Sequence, residues 1–321
     1  MPDKLLQVEN LTVHFETLRG HVRAAEDVTF ELSKGHTLGL AGESGCGKTT
    51  TALAILKLLP LNGRIIRGKV ILEGKEILGI KPKEFRQQIR WKKISMVFQG
   101  AMNSLHPIMT VGDQISEAIT THENVSKQDA IERAGKLLDL VGVGAERLGR
   151  YPHELSGGLK QRSVTAMALA CNPSLIIADE PTTALDVIVQ TQVMKVIKDL
   201  QKKLNLSMIM ISHDLSLIAE TSTEVAIMYA GKLVEHADST TIFREPLHPY
   251  TQKLVGAFPS ILGPKQDLST IPGFPPDLIN PPSGCRFHPR CPYAMDKCKK
   301  NEPSLKNVDD KNHLVACHLV A

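Results

Sequence analysis

The sequence predicts an α/β fold with a parallel sheet, followed by a small irregular C-terminal region. Three observations lead there. Short apolar runs alternate with helical patterns over residues 1–240, and parallel neighbours need such crossovers. The run HTLGLAG (36–42) enters a glycine-rich turn and then a helical pattern. The run SLIIADE (174–180) ends on two acids.

Each element follows in order. LLQVENLTVHF and VRAAEDVTFEL alternate as half-exposed strands do. Residues 36–42 read as a buried strand. Residues 48–59 read as a helix closed by Pro60. KVILEGKEI is strand-like, ISMVFQ (94–99) is a buried strand, and 111–141 reads as helices. Residues 158–171, rich in Ala, Leu and Met, read as a helix; 174–180 is a strand and 187–204 an amphipathic helix. LSMIMISH (206–213) is another apolar strand, and EVAIMYAGKLVE reads as a hairpin. Beyond about residue 240, PLHPY, IPGFPP and NPPSG are proline-rich. The expected domains are therefore 1–240 and a tail, 241–321.

A chain of 321 residues suits one large domain with an appendage. Hydrophobic residues at 42% and charged residues at 22% exclude bulk disorder. A net charge of +4 argues for neither nucleic acid nor a membrane surface. The basic run KPKEFRQQIRWKK (81–93) reads as a solvated helix and loop. No apolar run approaches the roughly 18 residues of a membrane span, and the N-terminus lacks a basic region with an apolar core. The expectation is a cytosolic chain that serves a membrane only by docking on other subunits. Cys46 and Cys171 stand alone and read as structural. Cys285, Cys291, Cys298 and Cys317 cluster near the end. In a cytosolic chain that cluster reads as metal binding before disulfides.

Gly42-Glu43-Ser44-Gly45-Cys46-Gly47-Lys48-Thr49 fits GxxxxGK[ST]. Glycines let a loop bring backbone N–H groups onto phosphate oxygens. The helix N-terminus that follows, with Thr50 in its first turn, favours negative charge. Lys48 can reach β- and γ-phosphates, and Thr49 can ligate Mg²⁺. Asp179 ends an apolar strand and would hold Mg²⁺; Glu180 follows it, placed to polarise an attacking water. Strand-end acids are often merely solvated; the phosphate loop gives these two their meaning.

Leu155-Ser156-Gly157-Gly158-Leu159-Lys160-Gln161 resembles the LSGGQ signature of ABC ATPases. Ser156 with Gly157 and Gly158 opens a helix as a second phosphate clamp, although Ser before glycines is also an ordinary N-cap. Gln99 looks like the Q-loop glutamine, Ala184-Leu185-Asp186 like the D-loop, and His213 like the switch histidine. Phe15 is the candidate for stacking on adenine, with His21 as the alternative. The resemblance implies an ABC nucleotide-binding domain with a helical signature subdomain. It implies that two such domains pair head to tail with ATP between the loop of one and the signature of the other. Glu180 would be the general base and His213 would contact the γ-phosphate. Gln99 would link the Mg²⁺ site to the segment facing membrane helices. One motif set per chain implies a second ATPase subunit.

GAMNSLHPIMTVGDQI, HPYTQKL and FHPRCPYAMDKC are similar to the oligopeptide/dipeptide importer branch, with His106 where Asn is usual. The resemblance implies cargo of short peptides, with oligosaccharide or nickel as alternatives. It implies two transmembrane permease subunits, an ATPase pair that is a heterodimer or a homodimer, an extracytoplasmic binding protein acting indirectly, and a place at the cytoplasmic face of the membrane. It also implies a [4Fe–4S] cluster on Cys285, Cys291, Cys298 and Cys317. The spacing alone leaves iron–sulfur and Zn²⁺ open, and leaves open four plain thiols. His288, His313 and His318 lie nearby and read as surface residues. The competing function is a soluble ABC ATPase acting on nucleic acid or ribosomes. Such proteins usually carry two motif sets or long coiled-coil insertions, and neither is present, so no nucleic-acid partner is expected.

Overall fold

A computed structural model describes residues 3–183, 185–257, 271–308 and 312–320. The strands are β1 (Lys4–Thr17), β2 (Gly20–Ser33), β3 (Thr37–Ala41), β4 (Gly63–Leu72), β5 (Lys75–Glu76), β6 (Ile94–Val97), β7 (Leu175–Asp179), β8 (Ser207–Ile211), β9 (Glu224–Tyr229), β10 (Lys232–Asp238), β11 (Lys306–Asn307) and β12 (Leu314–Val315). The helices are α1 (Lys48–Ile55), α2 (Pro82–Gln88), α3 (Val111–His122), α4 (Lys127–Leu140), α5 (Gly157–Ala168), α6 (Val187–Leu204), α7 (Leu215–Thr221), α8 (Ser239–Arg244), α9 (Pro249–Gly256) and α10 (Asp296–Lys300). They fall into two compact units.

One unit comprises Leu6–Leu32, Thr37–Leu78 and Met210–Ala321. Its first sheet has the order β2-β1-β4-β5, with β1 antiparallel to β4 from Leu6 opposite Leu72 to Phe15 opposite Gly63. Glu73 and Gly74, both at positive φ, close the β4–β5 hairpin, as a tight right-twisted turn requires. β3 lies parallel to β9, Leu38 facing Glu224 and Ala41 facing Ile227. β9 and β10 form the expected hairpin, turned by Ala230 and Gly231 at positive φ. The C-terminal tail is less irregular than its prolines suggest. It carries α9 and α10, and β12 pairs with β10, Val315 opposite Glu235.

The other unit comprises Met1–Leu5, Ser33–His36 and Gly79–Ile209. β6 and β7 pair in parallel. Helices α3, α4 and α5 pack together. Val111, Ile115 and Ile119 of α3, Ala130, Ala134 and Leu138 of α4, and Val164 and Ala168 of α5 are buried in one core. Their spacing of four places each set on one helix face. Thr110 and Ser126 cap α3 and α4, accepting from the N–H groups of Asp113 and Asp129.

Several boundaries differ from the sequence reading, two of them near the site. α1 ends at Ile55, well short of Pro60, because Lys57 takes a left-handed conformation (φ +52) and turns the chain away from the helix. β6 ends at Val97, so Phe98 and Gln99 leave the sheet and are exposed.

Candidate functional site

The glycine-rich loop follows β3, a strand with every residue buried. Gly42 sits at φ +144, and a Cβ there would lie 2.1 Å from the Met228 carbonyl oxygen. Gly47 sits at φ +105, with the Ala24 carbonyl oxygen 2.3 Å from such a Cβ. Both positions therefore admit only glycine. Gly47 is the N-cap of α1, which leaves the helix N-terminus open towards Ser44, Gly45 and Thr49, all exposed. Thr50 is half-buried in the first turn. The Lys48 side chain is buried and donates to the Gly42 carbonyl at 2.8 Å and the Glu43 carbonyl at 3.1 Å. Its ammonium is thus held over the loop. Cys46 is buried beside Lys48, and burial raises its thiol pKa.

In the other unit, β7 ends at Asp179, which is 2% exposed. Glu180 follows at φ +48, an uncommon conformation for a residue with a side chain, of the kind that clusters at active sites. The Glu180 carboxylate accepts from the Gln99 amide at 2.9 Å and from the Thr183 hydroxyl at 2.9 Å. Gln99, on the loop after β6, thus meets the acid expected to act as base. Thr183 carried no sequence signal; only the turn after Pro181 brings it back.

Ser156 occupies the N-cap position of α5, yet its side chain makes no capping bond. Ser156 and Gly157 are exposed, so the first turn of α5 presents open N–H groups and a hydroxyl. Gly158 is needed for packing, since a Cβ would lie 2.5 Å from Val189 of α6. Asp186 caps α6, accepting from the Val189 N–H at 3.0 Å. Ala184 of the same segment lies outside the described residues. In the first unit, His213 is exposed just beyond β8. Phe15 is half-buried on β1 against Gly63, and His21 is exposed on β2.

Cys285, Cys291, Cys298 and Cys317 line one cavity with His248, Phe287, His288 and His318. Burial pushes the Cys285 thiol up to about 11 and raises Cys291 and Cys317. Backbone N–H groups two residues on, from Phe287, Tyr293 and Leu319, pull each back down. Among the described residues, no group of three or more His, Cys, Asp or Glu is positioned to hold a metal ion. The four cysteines of the metal-binding tail expected from the sequence thus share a cavity without forming such a group. Histidines do not complete one. His313 donates to Glu235 at 2.7 Å, His318 to the Asn301 carbonyl at 2.9 Å, and His288 to the Cys285 carbonyl at 2.9 Å. His313 is buried, not a surface residue.

The sequence reading missed three residues at the phosphate loop. Arg290 pairs with the Glu43 carboxylate, Tyr250 accepts the Glu43 backbone N–H at 2.8 Å, and Tyr229 packs against Tyr250 with the rings tilted. No local pattern links positions more than 180 residues apart.

Comparison with known proteins agrees with this inventory. Residues 25–183 match the ABC transporter family model, and residues 234–298 match the model of the oligopeptide/dipeptide transporter C-terminal region. The chain is 47% identical to the oligopeptide transport ATP-binding protein OppD of Bacillus subtilis, over 97% of this chain and 88% of the relative. It is 44% identical to the dipeptide transport ATP-binding protein DppD of the same organism, over 99% and 95%. It is 45% identical to OppD of Escherichia coli, over 94% and 89%. Among solved structures, a dimeric bacterial ABC transporter cassette matches with a TM-score of 0.65 at 25% identity, covering 73% of this chain and 99% of that one. A similar cassette, a dimer in a post-hydrolysis state bound to ADP and phosphate, matches with a TM-score of 0.65 at 24% identity, over 73% and 99%. With a full-length likeness above 40%, an intact phosphate loop and an open signature helix, the chain belongs to the ABC ATPases, in the branch of oligopeptide and dipeptide transport ATP-binding proteins.

Proposed function

We propose that this chain hydrolyses ATP to power an ABC importer of short peptides. The observation that carries the reading is the Gly42–Thr49 loop with Lys48 poised on its own carbonyls, in a chain similar throughout to peptide transport ATPases. Lys48 and the loop N–H groups bind the phosphates, joined by Thr50 in the first turn. Thr49, Asp179 and Gln99 are the residues that would hold Mg²⁺, which would neutralise charge on the phosphate oxygens. Glu180 is the base that orients and deprotonates water, kept in place by Gln99 and Thr183 until substrate arrives. His213 contacts the γ-phosphate, and Phe15 stacks on adenine. Ser156, Gly157 and Gly158 clamp the nucleotide of a second ATPase subunit, beside Asp186 of the same chain.

The partners are two permease subunits and a second ABC ATPase, in a heterodimer or a homodimer. An extracytoplasmic binding protein acts through the permeases, and nucleic acid plays no part. The proposed place is peripheral, at the cytoplasmic face of the membrane; none of the described helices is long and apolar enough to cross a membrane.

The four tail thiols are proposed as ligands of a [4Fe–4S] cluster, with Zn²⁺ as the alternative. Their shared cavity and the N–H groups aimed at three of the sulfurs suit thiolate ligation. Such a group would cross-link the tail and take no part in hydrolysis. Metal analysis of anaerobically purified chain decides: four irons with matching sulfide support the cluster, one zinc supports the alternative, and neither refutes both.

The test of the main reading is Glu180→Gln in the assembled transporter. ATP binding should persist while turnover falls by about 10² or more. An unchanged rate would remove Glu180 from the base role.

A further inference from the structure

Glu43 is held at four atoms. Its carboxylate takes a fork from Arg290, with Nη1 to Oε2 at 2.6 Å and Nη2 to Oε1 at 2.9 Å. Its backbone N–H donates to the Tyr250 hydroxyl at 2.8 Å. Its carbonyl accepts from the Lys48 ammonium at 3.1 Å. Glu43 therefore connects the phosphate-binding lysine to a segment more than 200 residues further along the chain.

The two tail residues are themselves fixed. The Arg290 side chain is 6% exposed. Its Nε donates to the Pro272 carbonyl at 2.8 Å, its Nη1 also reaches the Tyr229 hydroxyl at 3.3 Å, and its guanidinium lies 5.7 Å from the centre of the Tyr229 ring. The Glu43 carboxylate raises the Arg290 pKa. Tyr250 is fully buried, packed on Tyr229 at 4.7 Å and on Phe287 at 5.4 Å between ring centres. A planar guanidinium with a two-point fork, seated on an aromatic face, is a rigid anchor.

We propose that Arg290 and Tyr250, both carried by the C-terminal segment, are positioning residues that preset the phosphate loop for ATP through Glu43. A loop binds phosphate through N–H groups that must converge before the ligand arrives, and ordering them on binding weakens affinity. The fork and the phenol fix the second residue of the loop from both sides of its Cα. Lys48 then has a defined resting place on the Gly42 and Glu43 carbonyls, from which it swings to the phosphates. The proposal rests on the loop being the nucleotide site.

The experiment measures equilibrium binding of Mg²⁺ and a fluorescent N-methylanthraniloyl ATP to the purified full-length chain. Lys48→Ala is run alongside and should abolish binding. Arg290→Gln should weaken binding about tenfold or more, while Arg290→Lys, which keeps the charge and one bond, recovers part of the loss. Glu43→Gln should weaken binding similarly, and the double variant should be no worse than either single one. Tyr250→Phe should weaken binding by a smaller factor. Thermal unfolding of each variant separates loop effects from loss of fold: the affinity loss must appear in protein that is still folded. The proposal is overturned if folded Arg290→Gln binds as wild type, or if the Glu43 and Arg290 effects simply add. If Lys48→Ala binds normally, the assignment of the nucleotide site itself fails.

Discussion

At the scale of the residue, burial sets the chemistry of the two isolated cysteines. Cys46 lies inside the phosphate loop, where alkylation would be expected to block ATP. It is 3% exposed, and burial raises its pKa above the free-thiol value. Cys171 is 6% exposed, its pKa pushed up to about 11 by burial and by the nearby Glu123 carboxylate. The thiolate is the reactive form, so at pH 8 Cys171, at about 11, carries roughly a hundredfold less thiolate than an unperturbed thiol at 9.0. We expect iodoacetamide to spare Cys171 at pH 7–8 in the folded chain, and its labelling to climb about tenfold per pH unit as alkali is approached. Peptide mass spectrometry reads the result, with urea-unfolded chain as the control. Rapid labelling at pH 7.5 would contradict the buried placement. The residue types at both cysteines were legible in the sequence; their depth was not, because it depends on helices and strands that pack over them from elsewhere in the chain.

At the scale of the element, the strand and helix pattern was largely legible because its periods are local. Apolar runs became β3, β7, β8 and β9, and residues 187–204 became α6 with the same ends. What was not legible was how the tail is fastened. Glu235 of β10 is fully buried, a position that the hairpin pattern gave no reason to single out. Its carboxylate accepts from the backbone N–H groups of Leu247 at 2.7 Å and His248 at 3.0 Å, and from His313 at 2.7 Å. It thereby ties β10 to the start of α9 and to the segment that leads into β12. Glu235→Ala would remove the one acceptor that Leu247, His248 and His313 share and should cost about 3–5 kcal/mol, whereas Glu235→Gln keeps one carbonyl acceptor and should cost less. Urea unfolding with unchanged m-value would measure both. A loss below about 1 kcal/mol for Glu235→Ala would show that water or a local shift satisfies those donors.

At the scale of the whole molecule, the ordered motifs made the ATPase legible, because each is a short string whose chemistry demands its residue types. The tail was legible as a proline-rich segment with a cysteine pattern and as a family resemblance in HPYTQKL and FHPRCPYAMDKC, but not as part of the phosphate loop's support. The arginine between Pro289 and Cys291 was read only as part of FHPRCPYAMDKC, since its partner Glu43 is reached through folding alone. Yet the tail shares its compact unit with the loop, supplies β12 to β10, and packs Phe287 on both Tyr229 and Tyr250. It follows that the chain ending at residue 257 should not behave as a trimmed but intact ATPase. It would uncover the Tyr229–Tyr250 pair, free Glu43 from Arg290 and leave Glu235 without His313. Exposed aromatic surface of that kind drives aggregation, so we expect the truncated chain to be largely insoluble and its soluble fraction to bind nucleotide weakly. Soluble yield and affinity for the anthraniloyl nucleotide, compared with the full chain, give the answer. Full solubility with full affinity would mean that residues 1–257 fold and arrange the loop by themselves, and would reduce the tail to an appendage. Loss of solubility with retained affinity in the remaining soluble protein would assign the tail to stability and leave loop geometry to Tyr250, which the truncated chain still carries.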